Sequence, residues 1–125
     1  MTRNQQLPKC AANLSGGVMF TVKGKGDISP DTEQLVKRGD TIVIDKDPSL
    51  DPSVTHVCAR QDQQKDVCQC SALVGVASGA HMAIGGAYTY TIKTSVAVNS
   101  DYELYSLTDG APTPGATNGD IHVNS

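Results

Sequence analysis

Four cysteines and three histidines are the residues of this 125-residue chain with the most chemistry to offer. His56-x-Cys58 and Cys68-x-Cys70 are i, i+2 pairs, and Cys10 stands alone upstream. On adjacent strands, His56, Cys58, Cys68 and Cys70 would converge on one face, because alternate residues of a strand point the same way. Structural zinc sites favour two to four residues between paired cysteines, since the loop must wrap the ion. A C-x-C pair on a flat strand does this poorly, so the spacing predicts no metal centre, and no cofactor is expected. Met1 to Lys9 is polar and no continuous apolar run follows, so a secretory leader is not expected and synthesis in a reducing compartment is. Cysteine there behaves as a small hydrophobe. The expectation is free, partly buried thiols, with a disulfide from Cys58 to Cys68 or Cys70 as the second reading.

A nucleophilic triad needs an activated serine, an orienting acid and an oxyanion hole. His81, in Ser78-Gly79-Ala80-His81, and His122 near the end have no G-x-S-x-G elbow to work with. A serine–lysine dyad is the sharper enzymatic reading. Gly26-Asp27, the run from Gly39-Asp40 through Asp45, and Ala59-Arg60 resemble the self-cleaving repressor and signal-peptidase-like peptidase domains. That resemblance implies Ser29 as nucleophile and a desolvated lysine, sought at Lys65, as base. Ser29 is displaced by one position from the family's nucleophile turn, Pro30 follows it, and Cys68 falls where the base would be. The residues therefore predict a chain without enzymatic activity.

Composition bounds the class. The chain carries one Phe, four Tyr and no Trp, so a core must come from Val, Ile, Leu and Ala. A core so thin predicts help from neighbouring chains, including a homo-oligomer. The formal charge of -3, with Lys and Arg scattered, argues against nucleic acid. No apolar run has the length of a membrane-spanning helix, and no membrane partner is expected.

The elements that must position these residues are short strands. Val18 to Val22, Asp40 to Asp45, Val54 to Arg60, Asp66 to Ala72, Tyr88 to Val98, Tyr102 to Leu107 and Ile121 to Val123 carry apolar or alternating patterns. Turn signals recur about every 8–12 residues, as in an all-β sandwich or barrel. Ser29 to Leu35 predicts at most one or two helical turns, with Ser29 as N-cap and Pro30 first. The stretch Leu73 to Val98 is expected to be the one around which the rest is organised, its glycines bending short strands. In its second half Tyr88, Tyr90 and Ile92 share one face, and Thr89, Thr91 and Lys93 the other. Residues 1–17 lack periodicity and end in Gly16-Gly17. The expected organisation is an irregular N-terminal arm over 1–17 and a small β-barrel or sandwich domain over 18–125.

A second resemblance runs from about residue 36 to 123. Val36-Lys37-Arg38-Gly39-Asp40, Gly75-Val76-Ala77, the glycine-bounded Gly86 to Val98, and Leu104-Tyr105 with Asp109-Gly110 resemble the β-barrel decoration (cement) and head-fibre proteins of tailed-phage capsids. The resemblance implies a virion structural protein, made in the host cytoplasm, whose partner is the major capsid protein or another virion protein. Leu7, Val18 and Phe20 are the expected contacts to a neighbouring chain, by addition of an extended arm to a sheet edge. A binding module for a small ligand is the remaining alternative.

Overall fold

The computed structural model describes residues 17–61, 68–85, 88–111 and 119–125. The expected arm (Leu7 and Cys10 included), Lys65 and Gly86 lie outside them, except that Gly17 belongs to the first strand.

The strongest alternating pattern makes the first strand. In β1 (Gly17–Gly24), Val18, Phe20 and Val22 point inward and Met19, Thr21 and Lys23 outward. β1 lies parallel to β4 (Thr41–Lys46), with Val18 opposite Ile42 and Phe20 opposite Ile44, so the inward sets meet in register. Gly17 is held to its type at this junction: a Cβ there would come within 2.8 Å of Thr41 Oγ1. β2 (Asp27–Ser29) and β7 (Thr89–Thr91) complete a four-stranded sheet in the order β2-β1-β4-β7.

The second sheet has five strands in the order β3-β9-β8-β5-β6. β3 is Glu33–Val36, β5 His56–Arg60, β6 Met82–Ala83, β8 Ser100–Leu107 and β9 Asp120–Val123. Val57, Ala59, Tyr102, Leu104, Ile121 and Val123 meet Phe20, Val22, Ile28, Ile42 and Ile44 in one buried core. Ser106, on the same face, is fully buried. Its hydroxyl accepts the Gly26 N–H at 2.8 Å and donates to the Gly24 carbonyl at 2.6 Å, tying the β1–β2 turn to the opposite sheet. The two sheets stack as a sandwich and do not close into a barrel. Of the two expected architectures, the sandwich is the one observed.

The five-stranded sheet is covered on its other face too. Cys58 opposite Tyr105, and Arg60, are fully buried there. Arg60 Nε lies 3.4 Å from Glu103 Oε1, and its guanidinium sits 5.5 Å from the Tyr105 ring centroid. Cys68, bonded to Cys58, and the buried Cys70 help to cover this face.

Three expectations are corrected. Ser29 to Leu35 is not helical: β2 ends at Ser29, the Ser29–Pro30 peptide is cis, and β3 starts at Glu33. Ile28 and Val36 are the buried residues, one in each sheet, so this segment is the crossing between layers. A helix this short has too few hydrogen bonds to outweigh its nucleation cost. Asp66 to Ala72 is not a strand where described; Cys70–Leu73 forms one helical turn, α1, which buries both of its end residues. Beyond the short ladder of β5 with β6 at His56 and Val57, the Ala59 carbonyl accepts the Gln69 N–H. Lastly, Leu73 to Val98 is peripheral. It supplies β6 and β7, both at sheet edges, with an isolated bridge between Val74 and Ile92. The alternation read there does hold: Ile92 is buried, Tyr90 packs against the core, and Thr89, Thr91 and Lys93 are exposed, though Tyr88 is exposed as well.

Candidate functional site

Two regions offer function: a sulfur and imidazole cluster over the five-stranded sheet, and the outer face of the four-stranded one. In the cluster, β5 supplies Cys58 and the segment before α1 supplies Cys68. They form a disulfide, with Cα atoms 5.7 Å apart. Cys70 is the free thiol among the described residues, its Sγ 3.4 Å from that of Cys68. It accepts the Ala59 N–H at 3.2 Å, and burial pushes its thiol up to about 11. The expectation of free thiols is thus overturned at Cys58 and Cys68 and met at Cys70.

The imidazole that reaches the sulfurs is His81, not His56. A ring nitrogen of His81 and the sulfurs of Cys58 and Cys68 all lie within 4.8 Å of one another. The His81 side chain is 8 % exposed, and its Nδ1 sits 3.2 Å from Asp109 Oδ1 without a hydrogen bond forming. The His56 ring stands edge-on to it at 6.2 Å between centroids, with its own Nδ1 2.8 Å from Thr55 Oγ1. Spacing alone could not show this, because His81 arrives from a loop thirteen residues past Cys68.

Among the described residues, no serine, histidine and acid come together as a triad. His122 Nδ1 contacts Asp101 Oδ1 at 2.6 Å, and Glu33 joins them in an exposed group. Among the described residues, no serine hydroxyl hydrogen-bonds a histidine. Ser29 pairs with Thr21 across the β1–β2 ladder, and Lys65 lies outside the described residues.

The outer face of the four-stranded sheet is built by parity. Met19, Val43 and Thr89 form one row across β1, β4 and β7, and Thr41 and Thr91 flank it. Met19 is 48 % exposed, while Asp27, Lys23 and Asp45 gather toward one end. An open groove of about 500 Å³ continues from β7, lined by Gly39, Gly75, Thr91, Lys93 and Ser95 among others. The structure places Val18 and Phe20 in the core, 7 % and 0 % exposed, so neither can face a neighbouring chain. In a strand the residue that faces out is the one between two that face in. The apolar residue that β1 turns outward is Met19.

No protein-family model matches this chain, and neither a curated protein nor a solved structure matches it.

Proposed function

We propose that the chain is a non-enzymatic structural protein that docks on a protein shell through the outer face of its four-stranded sheet. The observation that carries this reading is the Met19–Val43–Thr89 row. It is a sheet surface of apolar and hydroxyl side chains, with Lys23, Asp27 and Asp45 toward one end and Lys93 beyond Thr91 at the other. Charge depletion around an apolar centre distinguishes the core of an interface from ordinary surface. The resemblance to capsid decoration proteins supplies the occupant: the outer surface of a major capsid protein, in a virion. Binding there would tie neighbouring shell subunits together by adhesion alone.

The test is sedimentation of the purified chain alone and after mixing with tailed-phage capsids. Saturable co-sedimentation, at a fixed ratio of chain to capsid subunit, is the expected result. The mass of the chain alone reports whether it docks as a monomer or as a homo-oligomer. Recovery of all the chain in the supernatant across a panel of such capsids would count against the proposal.

A further inference from the structure

We infer that Cys58, Cys68 and His81 form a binding site for one zinc ion when the Cys58–Cys68 bond is reduced. The spacing argument against a metal concerned the C-x-C pair, which cannot wrap an ion. Here the three ligands come from three separate segments: β5, the approach to α1, and the loop before β6. The fold brings them together, so no single loop has to wrap anything. Their donor atoms already lie within 4.8 Å of one another. Zn–S and Zn–N bonds of about 2.3 and 2.0 Å put tetrahedral ligand atoms roughly 3.5–3.8 Å apart, within a small side-chain adjustment of what is seen.

The second observation is His81 itself. Its side chain is more than nine-tenths buried and its Nδ1 is turned to Asp109, which leaves Nε2 as the ring nitrogen to coordinate an ion. Asp109 stands 3.2 Å from Nδ1, where a carboxylate orients a metal-bound imidazole and raises its basicity. Two thiolates and an imidazole suit zinc over the hard cations, which prefer oxygen. The fourth position falls to a water or to Cys70, whose sulfur is 3.4 Å from that of Cys68. The disulfide and the metal site are alternatives, because they use the same two sulfurs. A phosphine reduces the bond by taking its oxygen from water and becoming phosphine oxide, and the two sulfurs gain two protons. Those protons pass to solvent when the thiolates bind the ion.

The test uses the full chain, treated with a water-soluble phosphine without oxygen, freed of reagent, and titrated with Zn2+ or with Co2+ as a spectroscopic probe. The inference expects one ion per reduced chain, a thiolate-to-cobalt charge-transfer band, and intense visible bands of tetrahedral coordination. The unreduced chain should bind none. His81→Ala should weaken Zn2+ at least about tenfold, and His56→Ala should leave it unchanged. Cys58→Ser should weaken Zn2+ binding and reduce the charge-transfer intensity per bound Co2+, and if that variant does not fold, the His81 pair of measurements on reduced protein decides. A reduced, folded chain that takes up no stoichiometric ion would overturn the inference. So would binding that His81→Ala leaves intact.

Discussion

Met19 and Val43 stand directly opposite one another across the parallel β1–β4 pair, on the side of the sheet turned to solvent. One residue along on each strand, Val18 and Ile42 face each other inside the core. The pair of strands thus separates stability from contact: one parity holds the sandwich together and the other is available to a partner.

That separation is measurable. Phe20→Ala should destabilise the isolated protein by about 3–5 kcal/mol, through lost burial and the cavity left behind. Met19→Ala should change stability by no more than about 0.5 kcal/mol, as for an ordinary surface site. Urea unfolding of both variants checks the contrast, and equal losses would mean that the parity assignment is wrong.

Ser106 is the polar exception in the core. Replacing it with Ala strands the Gly26 N–H and the Gly24 carbonyl, with an expected cost of about 1–3 kcal/mol. Hydrogen exchange should rise first at Gly26, ahead of the strands. Unchanged exchange there would show that the turn holds without Ser106.

Asp120 gives a pH signature. Burial first, then the charges of Glu103, Glu33 and Asp101, raise its carboxyl above the usual 3.8. The folded state therefore binds this proton more readily than the unfolded one. Its contribution to stability grows as pH falls toward 3.8 and is lost as pH rises through the raised value. Asp47 and Asp51 are shifted the other way, by hydrogen bonds from Ser49 and Ser53, so their contributions are lost only as pH falls below the usual range. Asp120→Asn should be more stable than wild type at neutral pH, with the difference shrinking on acidification. A difference that is constant with pH would refute the assignment.

Long incubation at mildly alkaline pH should leave both wild type and Ser29→Ala intact by mass spectrometry. Fragments from wild type alone would restore the serine–lysine reading.

Much of the fold was legible because the strands that build the core alternate. Val18-Met19-Phe20-Thr21-Val22 and Ile42-Val43-Ile44 announce their period and both are strands. Ser29 to Leu35 misled because Ser-Pro followed by acids opens helices and strand crossings alike, and the decision lies in the pairing of β3 with β9, some ninety residues away. Asp66 to Ala72 misled because Cys68, Cys70 and Ala72 alternate as a strand would, whereas the buried pair Cys70 and Leu73 lies one helical turn apart. The outer face was missed at Val18 and Phe20 for a different reason: the pattern gives two faces, and the more apolar one is the core. His81 was out of reach, since its proximity to Cys58 exists only once the loop after α1 folds back over the five-stranded sheet.

The most direct measurement is co-sedimentation of Met19→Glu beside wild type with a tailed-phage capsid that binds the wild-type chain. A charge at the centre of the Met19–Val43–Thr89 row should reduce shell binding at least about tenfold, since burying an unpaired carboxylate is strongly unfavourable. The urea midpoint of the isolated variant should stay close to that of wild type. Binding equal to wild type by a folded Met19→Glu chain would contradict the account.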